Sequence, residues 1–311
     1  MAIWFRPLEL AAGNARTVLV LGVVAGMAVP TLAELMVPWI GICIGALLFL
    51  AMLRIGPQKA REAVLHLRFS VISILLLQCL LPFSVAMLAY VSGWLSIPVI
   101  LATVLLLAAP PLSGSPHITV MTGHNPIPAL RQLVTGTALL PITTIPVFWL
   151  TPALGTQFEV FVVALKLLAL ITAAAGAAFL LRITVLKRPD PQTERSIDGI
   201  SAIAMALVVI GLMSRAGVAL REQPLSFALT LALACALNFG AQIAMALLVG
   251  KREGAATPAL AITAGNRNMA LFISVLPAAT TDQLLLFIGC CQIPIYLTPL
   301  CMKPFYRRFE R

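Results

Sequence analysis

The sequence predicts an all-α integral membrane protein of about ten transmembrane helices, arranged as two inverted five-helix repeats. Hydrophobic residues fill 60% of the 311 positions and charged residues only 10%, whereas soluble domains average roughly 45–50% and 25%. Apolar runs of about 18–25 residues, long enough to cross ~30 Å of hydrocarbon, alternate with short charged clusters. Proline and glycine interrupt two of these runs at matching places in the two halves. A lipid bilayer is therefore the predicted surrounding of nearly the whole chain.

Ten apolar runs are predicted to cross the bilayer. They cover residues 17–33, 37–55, 69–92, 97–121, 127–150, 158–183, 198–219, 226–250, 256–277 and 283–303. A cytoplasmic or interfacial segment (1–16), a central cytoplasmic loop (186–198) and a cytoplasmic tail (304–311) complete the chain. The central loop separates residues 17–185, which hold the first repeat and the start of the second, from residues 199–303. Because five is odd, two such halves insert with opposite orientations.

The basic residues predict which side of the membrane each loop occupies. The net charge is +10, but lysine and arginine gather in alternate loops and form no stripe with interleaved aromatics, so nucleic-acid binding is not predicted. Loops rich in lysine and arginine face the cytoplasm. Both termini are therefore predicted to be cytoplasmic in a bacterial inner membrane. The residues behind this prediction are Arg54, Lys59, Arg61, Arg68, Arg131, Arg182, Lys187, Arg188, Arg195, Lys251, Arg252, Lys303, Arg307, Arg308 and Arg311.

The interruptions fall in the fourth and the ninth predicted spans. The fourth contains AAPPLSGSPH, with Pro110, Pro111, Gly114 and Pro116, and the ninth contains TAGNRN, with Gly265. A break frees backbone N–H and C=O groups, each of which costs several kcal/mol in hydrocarbon unless protein, water or a ligand satisfies it. A single break is often only a kink. A pair in corresponding positions of two halves indicates a transport site near the bilayer midplane.

These segments resemble the bile acid:sodium symporter family, part of a superfamily that includes arsenite and auxin-type carriers. The resemblance rests on AAPPLSGSPHITVMTGHNPIPALRQLVTGTALLPITTIPVFWLTP, on LLLQCLLPFSVAML in the third span and on TAGNRNMALFISVLP in the ninth. It implies a ten-helix fold with a panel domain (spans 1, 2, 6 and 7), a core domain (spans 3–5 and 8–10) and two broken helices that cross in the core. It also implies sodium sites behind the crossing.

The resemblance assigns site residues one position at a time, and several depart from the family pattern. Gln78 and Ser115 match the glutamine of span three and the serine of span four, but Pro116 stands where the family has asparagine. In span nine Asn268 is kept, whereas Thr263 replaces a glutamate and Arg267 a glutamine. Sodium needs oxygen ligands, and a fixed guanidinium repels it. The sequence therefore predicts a degenerate sodium site and assigns no other metal site.

Two charged or titratable residues beside the breaks have alternative interpretations. Arg267 either tethers the crossed helices through freed backbone carbonyls, in place of a cation, or grips an anionic substrate through its bidentate fork. His117 titrates near neutral pH and either carries a proton or is simply hydrogen-bonded. Thr119 and Asn266 complete the predicted set of substrate and ion contacts.

The predicted function is a secondary transporter that moves a small organic anion or amphipathic acid by alternating access. The positive charge and the N-terminal ends of broken helices favour an anion. Alternatives are an intramembrane enzyme using Ser115 and His117, or a sodium-coupled bile-acid-type symporter with a rearranged ion site. No enzyme motif is present, and the six cysteines lie in apolar runs without metal-ligand spacing. No catalytic residue or cofactor is therefore predicted, and Na⁺ and H⁺ are the candidate coupling ions.

Overall fold

The computed structural model describes residues 2–65, 67–151, 154–187 and 189–309. Within these ranges all regular structure is helical, apart from one isolated β-bridge. Arg188 and Arg311, two of the residues behind the predicted orientation, lie outside the described residues.

The N-terminal quarter folds into four helices. They are α1 (Ala2–Gly13), α2 (Ala15–Ala28), α3 (Pro30–Met36) and α4 (Ile40–Leu65), and the last two form one long apolar span over Pro30–Glu62. The segments Arg6–Gly13 and Ala15–Ala28 meet at a bend of 84°. The predicted first span, residues 17–33, is thus too long at its end, because Val29 leaves the helical conformation and Pro30 begins a new helix.

The middle of the chain contains an irregular span and the first break. The third span runs from Phe69 to Val91 through α5 (Leu67–Ile74), a π-helical stretch (Leu75–Leu80) and α6 (Leu81–Val91). The fourth is divided into α7 (Pro98–Ala108) and α8 (Ser115–Met121), and α9 (Ile127–Trp149) follows. Gln78 lies in the π-helical stretch, a kind of distortion that is frequent at functional sites.

The second half repeats the pattern of long helices around a divided one. Four helices precede the second break: α10 (Gln157–Thr184), α11 (Pro191–Leu212), α12 (Ser214–Glu222) and α13 (Pro224–Glu253). The ninth span is divided into α14 (Thr257–Gly265) and a 3₁₀ segment (Met269–Ser274). The chain continues with α15 (Ala278–Cys301) and α16 (Lys303–Tyr306).

Seven helices of the described chain are long and apolar enough to cross a membrane, or eight if the bent pair at the N-terminus is one span. The predicted all-α structure is thus confirmed for the described residues, and its apolar helices are compatible with a membrane protein. The two predicted spans that contain the breaks are not among these seven helices, since their longest helical pieces, α7 and α14, have only 11 and 9 residues. The number of ten spans and the inverted repeats stay predictions.

The central hydrophilic stretch is shorter than the sequence suggests. A loop is predicted over residues 186–198, but α11 already begins at Pro191. Asp190 caps this helix, because its carboxylate accepts a hydrogen bond from the Thr193 N–H at 3.0 Å. Hydrogen bonds from the side chain and from the backbone of Thr193 lower the pKa of Asp190 below its ordinary value. One and two helical turns later, Glu194 and Asp198 pair with Arg54 of α4 at 3.1 and 2.9 Å.

The helices pack as two groups. Four of them (α2, α4, α10 and α11) pack against one another and are called the four-helix group below. The remaining long helices surround the two breaks, with α13 against α14 and α15, and α9 against α8 and α14. Gly26 shows how closely α2 approaches α11, because a Cβ there would lie 2.7 Å from the carbonyl oxygen of Ile210. One largely apolar cluster joins the two groups.

Candidate functional site

The two breaks meet in the interior and are joined through the main chain. Residues 109–114 lie between α7 and α8, and residues 266–268 lie between α14 and the 3₁₀ segment; together we call them the crossing. Pro111 and Arg267 form an antiparallel bridge. The Leu112 N–H donates to the Asn266 carbonyl, and the Asn268 N–H donates to the Pro110 carbonyl, both at 2.8 Å. Backbone groups freed by one break are thus satisfied by the other.

The prolines before and after the first break have different effects on the helices that flank it. Pro110 and Pro111 end α7, since a proline disfavours helical backbone in the residue before it and Ala109 is accordingly extended (ψ 150). Pro116 does not break a helix: it lies in the first turn of α8, where its missing N–H costs nothing. Gly114 could carry a Cβ without a clash, since that atom would lie at van der Waals distance, 3.7 Å, from Cδ2 of Leu112.

Gly265 is required for close packing against α13 and not for breaking the helix. It is the last residue of α14, and a Cβ there would lie 2.3 Å from the Asn238 carbonyl oxygen and 2.5 Å from Cγ of Gln242. The glycine therefore lets α13 approach the crossing closely. Its own backbone is helical, so conformational freedom is not what selects it.

Arg267 is buried, with 4% of its surface exposed, and binds three backbone carbonyls. Its Nε donates to Ala264 at 2.9 Å, Nη1 to Ala109 at 3.1 Å and Nη2 to Leu77 at 3.4 Å. Ala264 and Ala109 lie at the C-terminal ends of α14 and α7, where the partial negative charge of a helix stabilises a cation. No carboxylate among the described residues pairs with this arginine. It therefore holds together both breaks and the π-helical stretch.

Gln78 lies against the first break. Its Nε2 donates to the Gly136 carbonyl and to the Thr143 hydroxyl, both at 2.9 Å. A Cβ on Gly136 would lie 2.6 Å from the Pro111 ring and 3.0 Å from Oε1 of Gln78. That Oε1 is buried and has no hydrogen-bond partner among the residues that the structure describes.

Three further buried polar atoms around the breaks lack a partner in the described chain. They are Oγ of Ser115, Oγ1 of Thr135 and Nδ2 of Asn266. Native proteins satisfy nearly all buried polar groups, so a cluster of exceptions around two breaks indicates a place where water, an ion or a ligand binds. Thr119 and Thr263 are also buried, but their hydroxyls donate to the carbonyls of Ser115 and Leu260 in their own helices.

Two predicted site residues lie outside the buried interior. Asn268 is half-buried and contributes its main-chain N–H to the crossing, and His117 is exposed on α8. Ser115, by contrast, is fully buried and its hydroxyl has no described partner. Positions two residues apart on a helix do not face each other. The structure thus does not bring Ser115 and His117 together as a nucleophile and base.

A second polar network connects the crossing to the C-terminus. Oδ1 of Asn266 accepts a hydrogen bond from Asn238 at 2.8 Å and lies 3.2 Å from the Thr298 hydroxyl. Gln242 donates to Asn238 at 2.6 Å and accepts from the Tyr306 hydroxyl at 2.5 Å. The spacing of Asn238 and Gln242 places both on one face of α13, which is a sequence signal. Thr298 and Tyr306 carry no such signal.

No protein-family model matches the chain, and no curated protein matches it. In the described part of the chain, no three His, Cys, Asp or Glu side chains are grouped so that they could hold a metal ion. The function must therefore be inferred from the geometry of the crossing and from the motifs quoted above.

Proposed function

We propose that this protein is a secondary carrier that moves a small organic anion across the membrane by alternating access. The observation that carries the proposal is the antiparallel pairing of two interrupted helices in the protein interior. Broken helices that meet near the bilayer midplane are the usual construction of substrate sites in secondary transporters. The resemblance of these and neighbouring segments to bile acid:sodium symporters supports the same function.

The charge of the crossing favours an anionic substrate. A guanidinium has five N–H donors, and Arg267 uses three of them on backbone carbonyls. Two donors are left, one on each terminal nitrogen, and no described carboxylate neutralises the charge. A substrate carboxylate that reached these two donors would complete the set. In this proposal Arg267 is therefore both the tether of the crossing and one contact of the substrate.

The same arginine argues against sodium coupling. It holds its positive charge at the C-terminal ends of α7 and α14, where a bound cation would otherwise be stabilised. A second positive charge in that place would be repelled. We therefore propose sodium-independent transport. The hydroxyl of Ser115, which lacks a described partner, is the proposed donor to the substrate carboxylate when the site opens, and Oε1 of Gln78, which can only accept, is the proposed partner of an O–H or N–H group elsewhere on the substrate.

Alternating access is proposed to occur by movement of the four-helix group against the helices that carry the crossing. The crossing is held by main-chain hydrogen bonds and by Arg267, so it moves as one unit. The cluster that joins the groups is largely apolar and includes Leu48, Leu167 and Leu212 of the four-helix group and Phe148 and Leu284 of the other helices. An apolar boundary has few directional bonds to break when two packed surfaces slide.

Uptake into proteoliposomes tests the proposal. We expect saturable uptake of at least one member of a set of short-chain and aromatic carboxylates, with the same rate in sodium and in potassium buffers. Arg267→Gln should abolish this uptake and Arg267→Lys should retain part of it, whereas Arg252→Gln, an exposed position at the end of α13, should match the wild type.

Two results would overturn the assignment. If none of the carboxylates enters faster than into protein-free vesicles, the chain is not an organic-anion carrier. If sodium accelerates uptake by the wild type over the rate in potassium buffer, the arginine does not take the place of a coupling cation.

A further inference from the structure

A cavity of about 290 Å³ lies between α4 and α10, away from the crossing. Its volume is near the lower end of the roughly 300–1,000 Å³ that ligand sites occupy. The residues that define it are Gly56, Pro57 and Lys59 of α4, Arg182 and Ile183 of α10, and Lys187 just beyond α10.

The cavity exists because α4 is kinked. Gly56 has φ +74 and ψ 162, a conformation that residues with a side chain rarely adopt, and Pro57 starts the second part of the helix. A Cβ on Gly56 would lie 3.0 Å from Nε of Arg182, so the glycine also leaves room for that guanidinium. The first turn after the kink, residues 57–59, lines the cavity and contributes the partial positive charge of a helix N-terminus.

Three cationic side chains surround this space without a counter-charge. Lys59, Arg182 and Lys187 form no ion pair in the described chain, and Glu62, one turn beyond Lys59, forms none either. Arg54, only two residues before the kink, is by contrast neutralised by two carboxylates. Like charges held together repel one another unless an anion joins them. The cavity therefore has the electrostatics of an anion site.

We propose that this cavity binds the phosphate of an anionic phospholipid. Any phosphate could meet the three cations, but the surroundings of the cavity favour one that carries acyl chains. Ile183 lines the cavity and is 56% exposed, and Leu180, three residues before it on α10, is 59% exposed. Residues three apart share one face of a helix, so these two apolar side chains offer a surface for hydrocarbon next to the charged headgroup site. Basic pockets between membrane helices bind anionic headgroups in this way.

The cavity also joins two helices of the fold. It connects α4 and α10, two members of the four-helix group, at the point where α4 changes direction. A bound headgroup would bridge the two helices through Lys59 on one side and Arg182 and Lys187 on the other. The lipid would then stabilise the kinked conformation of α4.

Binding of defined lipids to the purified full-length protein tests the proposal. The probes are phosphatidylglycerol, phosphatidylcholine and inorganic phosphate, each titrated in neutral detergent and followed by native mass spectrometry and by the thermal unfolding midpoint. Phosphatidylglycerol should bind and raise Tm, and the other two should not at the same concentrations. Lys59→Gln/Lys187→Gln changes two exposed side chains and should bind about thirtyfold more weakly, since each lysine at an anionic surface contributes on the order of a factor of five.

The matched control is Arg252→Gln/Lys303→Gln, which removes the same charge at exposed positions elsewhere. It should bind phosphatidylglycerol as the wild type does. Equal weakening in both double variants would mean that only net charge matters and would overturn the site. A full Tm increase with inorganic phosphate alone would overturn the assignment to a lipid.

Discussion

The crossing lies inside two predicted spans and the α4 kink just after another, and these two departures from helical geometry are stabilised in opposite ways. At the crossing the freed backbone groups bond to one another and to Arg267, which is 4% exposed. At the kink Arg182 is half-buried beside a cavity and has no ion-pair partner in the described chain. Arg267 thus has three of its five donors engaged by the protein before any ligand binds, whereas Arg182 keeps its charge without an ion-pair partner in the described chain. Burial and pre-existing partners decide how much of each guanidinium is committed to the fold.

The largest effect is expected from removing the tether of the crossing. Arg267→Gln leaves up to three carbonyls without their donor and should lower the free energy of unfolding by about 3–5 kcal/mol, part of the loss being offset because a buried charge is removed. Thermal unfolding in detergent measures this loss. Arg252→Gln, its control, should stay within about 0.5 kcal/mol of the wild type. A variant as stable as the wild type would show that the three hydrogen bonds do not hold the crossing.

A smaller effect is expected from adding one methyl group at the second break. Gly265→Ala places Cβ 2.3 Å from the Asn238 carbonyl oxygen and should cost about 2–3 kcal/mol, because the backbone of α13 must move. Gly114→Ala at the first break meets its nearest neighbour at 3.7 Å and should change stability by less than about 0.5 kcal/mol. Unfolding midpoints of the two variants, compared directly, check this asymmetry. Equal losses would contradict the close approach of α13.

A moderate effect is expected from Tyr306, the last member of the polar network that connects the crossing to the C-terminus. Removing its hydroxyl should lower the free energy of unfolding by about 1–2 kcal/mol. Tyr306→Phe removes the hydrogen bond to Oε1 of Gln242 and leaves that buried oxygen unsatisfied. Tyr90→Phe is the matched control, since Tyr90 is 55% exposed on α6 and the loss of its hydroxyl should leave the free energy of unfolding unchanged. Denaturant titration of both variants measures the difference. No difference between them would mean that Tyr306 does not stabilise the network.

The smallest effect is expected near the kink, where Arg54 pairs with Glu194 and Asp198. The three side chains are 34–44% exposed, so Arg54→Gln should cost less than about 1 kcal/mol, and salt should reduce that cost. Lys59→Gln, which breaks no ion pair in the described chain, should cost still less. Unfolding midpoints at low and high ionic strength separate the two. A loss at Arg54 that salt does not reduce would indicate a role in packing and not in charge.

The fold class and the position of the breaks are readable from sequence because they depend on local rules. Composition and run length predict apolar helices, and Pro110 and Pro111 end a helix wherever it lies. The start of α11 is readable too, since aspartate followed by proline is a helix-capping signal, but the hydrophilic character of residues 186–198 conceals it.

The contacts of the site are not readable, because they depend on which distant elements meet. The role of Arg267 is set by the carbonyls of Ala109 and Leu77, which lie 158 and 190 positions away. Tyr306 joins Gln242 across 64 positions. Closeness in sequence to Ser115 predicts that His117 lies near the site, but the helix turns it to an exposed side.

The joint between the two breaks is made from main-chain atoms, and this has a consequence for how binding preference can change. Its donors are the N–H groups of Leu112 and Asn268, and its acceptors are the carbonyls of Asn266 and Pro110. Every amino acid except proline at positions 112 and 268 provides the same donors. Side chains beside the joint can therefore be exchanged while the backbone that presents them persists, so in the proposed carrier single substitutions can alter selectivity without a new backbone.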